Sequence, residues 1–165
     1  MEATRTWYLH KLNVDASFDS DQCEGGTGMG FRDHDGKLLR AQALWYDDVS
    51  NSMMMEAYAI RDGVRLARDI GLTDIIVESD AQQLVKLWDL MTFDRSEVAP
   101  VLNEVLVLSE SFRFFKLVFV AREANELAHL YAKQASSNRR RCLWINFVPP
   151  FLDACIKRIV ILVKF

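Results

Sequence analysis

Three carboxylates fall at places where the strands and first helix of an α/β chain can bring them together. Asp15 lies in an alternating strand-like run, Glu56 opens the first long helical pattern, and Asp80 ends a short buried run. If these elements pack side by side, the carboxylates meet at one edge of a sheet and repel one another. Divalent cations offset such repulsion, and hard ions such as Mg²⁺ take oxygen ligands. Two such ions held together promote in-line displacement at phosphorus.

Most of these acids also have an ordinary structural explanation. Asp80 could cap the next helix, with Gln83 three residues on completing a capping box. Glu56 could complement the dipole of its helix. Asp15 is harder to explain in this way, because an acid inside an otherwise buried strand needs a partner. Glu78 shares a strand face with Asp80, so it is either a further ligand or the partner of a cation.

The spacing of apolar residues predicts the elements that must position the acids. Alternation over residues 11–18, 27–32 and 38–45 predicts an antiparallel meander, with Asp35-Gly36 marking a hairpin turn. Helical spacing follows from Asn51 to Gly71, and residues 74–80 suit a central parallel strand. The later elements are two helices (one near residues 84–91, one from Pro100), a strand over 112–120 and a helix over about 125–136. This order predicts a mixed sheet and argues against a doubly wound nucleotide fold.

Composition sets broad limits. The chain has 165 residues, half of them apolar, enough for one domain with a core. Its net charge of −3 is not typical of nucleic-acid-binding domains, which are usually basic. Two groups of basic residues could still make the surface locally positive: Lys11, Arg32, Lys37 and Arg40, and the run Arg139–Arg141. Three distant cysteines indicate reduced intracellular thiols.

Neither a secretory signal nor a membrane-spanning run is recognisable. The apolar run Ile159–Val163 is far shorter than the about 20 residues that a spanning helix needs. We therefore expect a protein of the nucleus or cytoplasm that does not enter a membrane. We predict one domain over residues 1–137 and a tail over 138–165 that is basic and then apolar. The apolar run is expected to pack on the domain or to fray.

Five motifs occur in a fixed order at domain-scale spacing. They are KLNVD at 11–15, GGTG at 25–28 leading to Arg32-Asp33, Glu56-Ala57, VESD at 77–80 and REANELAH at 122–129. In this order they resemble the type 1 ribonuclease H domain, and most closely the plant ribonuclease H-like group related to the ribonuclease H part of retroelement reverse transcriptases. The resemblance implies a ribonuclease H-like α/β fold. Its five-stranded mixed sheet has the order 3-2-1-4-5, with helices on both faces.

The resemblance also implies an activity and a site. It implies hydrolysis of the RNA strand of RNA–DNA hybrids, with Asp15, Glu56 and Asp80 as ligands of two Mg²⁺ ions. Recognition would depend on the shape and 2′-hydroxyl groups of the duplex. RNA–DNA hybrid or another nucleic acid is thus the expected partner of a monomeric protein.

The chain departs from the family pattern on its last helix. Active ribonucleases H carry a fourth acid four residues after an Asn, but here Asn125 is followed at that distance by His129. This step keeps both residues on one helical face, so His129 is expected at the site as a catalytic residue unless it is a plain surface histidine. Imidazole suits softer metals than Mg²⁺, which predicts a weaker second metal site and a preference for Mn²⁺. Many active members of the family have a loop with a histidine before that helix, and in this chain the loop is shortened to residues 120–123. The alternative function is therefore a catalytically weakened domain that binds nucleic acid.

The glycines of the second motif allow two explanations. Gly25, Gly26, Gly28 and Gly30 enter a strand and not a helix, which argues against a phosphate-binding loop. They are expected to allow close backbone approach to a duplex, or simply close packing of the strand.

Overall fold

A computed structural model describes residues 9–155 of the chain. The strands of this part are β1 (His10–Asp19), β2 (Glu24–Arg32), β3 (Leu38–Tyr46), β4 (Asp74–Ser79), β5 (Phe114–Phe119) and β6 (Cys142–Ile145). The α-helices are α1 (Ser52–Asp69), α2 (Gln82–Leu90), α3 (Ala99–Ser109) and α4 (Glu126–Asn138), and 3-10 turns cover Arg122–Asn125 and Pro150–Leu152. No helix among these residues is long and apolar enough to cross a membrane.

The strands form one mixed sheet in the order β5-β4-β1-β2-β3-β6. Strands β1, β2 and β3 are antiparallel, β4 lies parallel to β1, and β5 lies parallel to β4. The predicted mixed sheet with the order 3-2-1-4-5 is therefore confirmed. The structure adds β6, which pairs antiparallel with β3 at the outer edge. Its four residues are too few for a clear period, which is why the pattern did not predict a sixth strand.

The C-terminal region is only partly described. Residues 142–145 belong to the sheet, although they lie beyond the predicted domain boundary at residue 137. That boundary stays a prediction. The apolar run Ile159–Val163 lies outside the described residues.

Helix α1 packs on one face of the sheet and forms the main core. Asn51 caps it, because its side-chain oxygen accepts a hydrogen bond from the Met54 N–H at 2.9 Å. Ile60 and Val64 of α1 are fully buried with Leu12 and Val14 of β1 among the core residues. This packing sets the start of α1 beside the carboxyl-terminal half of β1.

Helix α4 packs on the opposite face at backbone contact with β2. A Cβ atom added to Gly28 would lie 2.2 Å from the Ala132 nitrogen and 2.3 Å from the Ala128 oxygen. A Cβ atom added to Gly26 would lie 2.4 Å from the Ala132 oxygen. The glycines of the second motif therefore serve close packing of the strand against the helix, as one of the two explanations of their spacing predicts.

Candidate active site

The sheet register brings the three predicted acids together. In the parallel pair of β1 and β4, Val14 is level with Ser79, so Asp15 and Asp80 follow at the same height. Glu56 reaches them from the second turn of α1, which packs on β1. One carboxylate oxygen from each residue lies within 4.8 Å of the others. This convergence of distant segments is the geometry that the motifs imply.

Burial and crowding make the cluster unfavourable in its fully ionised form. Burial, followed by the charges of Asp15 and Asp80, raises the pKa of Glu56. Burial and Asp80 likewise raise the pKa of Asp15, partly offset by the Ala16 N–H and by His129. The Oε2 atom of Glu56 is buried and has no hydrogen-bond partner among the described residues. Crowded carboxylates with an unpartnered buried oxygen fit a hard divalent cation, which would supply positive charge between them.

The capping explanation of Asp80 is wrong. The N-cap of α2 is Ala81, and no side chain caps that helix. The hydroxyl of Ser79 accepts the Ala81 N–H at 3.1 Å. The Asp80 carboxylate is therefore not used for capping and remains beside Asp15 and Glu56.

His129 lies beside Asp15. Its Nδ1 atom is 2.8 Å from Asp15 Oδ2, and its side chain is 30% exposed. In the tautomer that carries the proton on Nδ1, this nitrogen donates to Asp15 and Nε2 keeps the free lone pair. The histidine thus contacts an oxygen of the acidic cluster, and Nδ1 is not available as a metal ligand in that tautomer.

A buried polar network fixes the start of α4 against β1. The Asn125 side chain donates to the Val14 carbonyl at 2.7 Å. Asn13 donates to Glu78 at 2.8 Å and to the Asn125 side-chain oxygen at 3.2 Å. Arg32 donates to both Asn13 and Glu78. Glu78 is therefore the partner of a cation, and the acidic cluster found among the described residues does not include it.

Arg122 is a site residue to which the sequence argument gave no role. It lies in the 3-10 turn before α4, and its positive charge opposes the factors that raise the pKa of Glu56. The available signal was its position as the first residue of the last motif. Without the fold, however, nothing related it to Glu56, which lies far away in the sequence.

A cavity of about 270 Å³ adjoins the acids between the starts of α1 and α2. Glu56 contributes to its wall together with Ser52, Met53, Ala81, Gln82, Gln83 and Leu84. It mixes amide and hydroxyl groups with apolar surface.

Comparison with solved structures shows the same fold in known ribonucleases H. RNase H1 from Halobacterium salinarum is 19% identical, with a TM-score of 0.70, over 77% of this chain and 96% of that chain. The N-terminal RNase H domain of a Mycobacterium tuberculosis protein is 17% identical, with a TM-score of 0.71, over 79% and 94%. LC11-RNase H1, solved in complex with an RNA/DNA hybrid, is 14% identical, with a TM-score of 0.70, over 80% and 98%. At these identities the likeness establishes the fold alone.

Comparison at the sequence level assigns the family. No curated protein matches the chain. The family model described as reverse transcriptase-like matches residues 13–135, which include all the acids of the cluster and His129. The ribonuclease H fold and this match agree with the resemblance drawn from the five motifs. The chain belongs to the reverse transcriptase-like family.

Proposed function

We propose that the chain is a metal-dependent endonuclease that hydrolyses the RNA strand of RNA–DNA hybrids. The observation that carries the proposal is the convergence of Asp15, Glu56 and Asp80 within 4.8 Å on a ribonuclease H fold. The complex of the similarly folded LC11-RNase H1 with an RNA/DNA hybrid supports this choice of substrate.

The three acids would hold a pair of Mg²⁺ ions in this proposal. When bound, the ions supply an activated water and stabilise the negative charge that develops at the reacting phosphate. The residues must first lose their protons, since only ionised carboxylates are good ligands. The raised pKa of Glu56 means that metal binding competes with a proton at this residue.

Two residues around the acids have further proposed roles. His129 holds Oδ2 of Asp15 through the 2.8 Å contact, which limits the rotation of that carboxylate. Its second nitrogen belongs to a ring that is partly exposed beside the cluster. Arg122 adds positive charge near Glu56, which favours the ionised carboxylate and an approaching phosphate.

The direct test is cleavage of a labelled RNA–DNA hybrid by the full chain, with Mg²⁺ or Mn²⁺. We expect RNA fragments from internal cuts, and loss of cleavage in Asp15→Asn. Asp33→Asn, at a hairpin turn outside the cluster, is the matched control and should retain cleavage. A folded chain that yields no product with either metal would contradict the proposal.

The second candidate function is hybrid binding without catalysis. The observation that favours it is the contact of His129 with Asp15, at the position where active relatives are expected to have a fourth acid. Hybrid binding should be followed by fluorescence anisotropy in the unmodified chain and in His129→Asp. Binding by both proteins with cleavage by neither would support this candidate.

A further inference from the structure

Within residues 9–155, no helix covers β3 and β6 on the face of the sheet that carries α1. Helix α1 packs over β1 and β2, whereas α4 covers the opposite face as far as β3. Leu143 and Ile145 of β6 pair with Gln42 and Arg40 of β3 and point to the α1 side. These two apolar side chains are 49% and 51% exposed. Among the described residues, nothing covers them as α1 covers β1.

A groove between α1 and β3 continues this exposed surface. Its volume is about 350 Å³, and its apolar lining includes Leu44 of β3 and Leu66 of α1. Gln42 lines the groove and is paired with Leu143, so the apolar side chains of β6 extend its floor. We call Arg40, Leu44, Arg141, Leu143 and Ile145 the β3–β6 surface.

The β3–β6 surface carries positive charge that has no carboxylate partner among the described residues. The groove contains two acids, Asp62 and Asp69, and each is paired with a neighbouring arginine. Arg40 and Arg141 have no carboxylate within ion-pair distance in the part of the chain that the structure describes. This local excess of positive charge contrasts with the net charge of −3 of the whole chain. An incoming acidic partner would therefore be attracted to this side of the molecule.

The groove wall is preorganised. The buried Asp62 carboxylate accepts hydrogen bonds from Thr27 at 3.1 Å and from Tyr46 at 2.7 Å. The guanidinium group of Arg61 binds the same carboxylate and lies 4.4 Å from the ring centre of Tyr58. Because these contacts join α1 to β2 and β3, the groove does not need to be ordered when a ligand binds.

We propose that the β3–β6 surface docks an amphipathic helix with acidic residues, contributed by a partner protein. Lying beside α1, such a helix would complete the layer over β3 and β6 at the usual spacing of packed helices. Its apolar stripe would cover Leu143 and Ile145, while its Asp and Glu side chains would meet Arg40 and Arg141. A nucleic-acid backbone fits less well, because it would set phosphates against exposed leucine and isoleucine. Such docking does not require nuclease activity of the chain.

The probe is a displayed library of random peptides of about 18 residues, or about five helical turns. It is selected on the full chain and counter-selected on the folded double variant Leu143→Asp/Ile145→Asp. Enriched peptides should have apolar residues at helical spacing flanked by Asp and Glu. Their affinity, measured by anisotropy, should fall about tenfold or more in Leu143→Asp and in Arg141→Glu. The control Leu90→Asp changes a leucine of α2 that is 69% exposed and should leave affinity unchanged.

Several results would overturn the inference. One is a selection that enriches no peptides that depend on Leu143, or only peptides that are basic or lack helical spacing. Weaker hybrid binding by Arg141→Glu, without any effect on peptides, would make this a nucleic-acid surface. A dimer that Leu143→Asp dissociates in sedimentation would identify a second copy as the occupant. Higher peptide affinity in Ile161→Asp would assign the surface to the C-terminal run of this chain.

Discussion

The carboxyl group of Glu56 is buried beside two other acids, yet one of its oxygens has no partner among the described residues. Folding therefore raises its pKa, so the folded protein holds a proton there more tightly than the unfolded chain does. Below the ordinary pKa of a glutamate, Glu56 is protonated in both the folded and the unfolded state, so its ionisation does not change the free energy of unfolding. As the pH rises through that value towards the folded pKa, stability is lost.

The first prediction concerns Glu56→Gln, measured without divalent metal. The amide cannot ionise, so at pH 7 to 8 the variant should unfold about 3–5 °C higher than the unmodified chain. The difference should shrink towards zero at about pH 4, near the ordinary glutamate pKa. Circular dichroism melts in EDTA across this pH range measure it. A difference that is the same at pH 4 and at pH 8 would show that ionisation is not its cause.

The second prediction concerns the metal preference at His129. A site of carboxylates and imidazole is softer than one of carboxylates alone, so hybrid cleavage should be several-fold faster with Mn²⁺ than with Mg²⁺. The preference should shrink in His129→Asp, which supplies an oxygen in place of nitrogen. Rates at saturating metal are the measurement. If His129 only orients Asp15 through Nδ1, the ratio of the Mn²⁺ rate to the Mg²⁺ rate should be the same in His129→Asn as in the unmodified chain.

At the scale of the elements, contact between α4 and β2 fixes the height of His129 above Asp15. Gly28 of β2 lies directly opposite Asp15 in the antiparallel register, and its missing side chain lets α4 approach. The position of the histidine therefore depends on a residue that does not touch it.

The third prediction concerns Gly28→Ala. Its Cβ atom would overlap backbone atoms of α4, which cannot move aside as a flexible side chain can. We expect a loss of stability of about 2 kcal/mol or more, typical of severe overpacking. Urea unfolding gives that value. Gly36→Ala is a control without overlap, since nothing lies within 4 Å of its added Cβ, although its φ of +79° carries a cost of its own.

The elements were largely predictable because local periodicity encodes them. The meander, α1 and α4 each have enough residues for a clear period, β4 is a short apolar run rich in β-branched residues, and Asn51 is a recognisable cap. The four residues of β6 are too few for a clear period, and the position of this strand depends on its pairing with β3, about a hundred residues earlier in the chain. The acids could be named from motifs, whereas the contact of His129 Nδ1 with Asp15 and the network around Asn13 join residues far apart in the sequence. Such side-chain geometry is set by tertiary packing and leaves no local pattern.

At the scale of the whole molecule, the segment after α4 packs against the domain through aromatic rings. The Trp144 ring centre lies 4.8 Å from that of Tyr131 on α4 and 6.0 Å from that of Phe151. Leu152 and Cys155 are buried in the same cluster as Ala41 and Ala43 of β3. The cluster links the C-terminal segment to both α4 and the sheet.

The fourth prediction concerns Trp144→Ala. Loss of the aromatic packing should lower the free energy of unfolding by about 2–3 kcal/mol, less than for a fully buried tryptophan because the side chain is partly exposed. Unfolding should remain a single transition seen equally by fluorescence and circular dichroism. An unchanged main transition would instead support a domain that ends at residue 137.

The backbone contact of α4 with β2 also has an evolutionary consequence. Gly26 and Gly28 of β2 already let α4 pack close to the sheet. A different side chain at position 129 would therefore lie beside Asp15 without any shift of the main chain. Histidine and aspartate codons differ by a single base. A chain of this sequence is thus one point mutation away from a fourth acid beside the cluster, and that change would leave the packing of α4 on β2 intact.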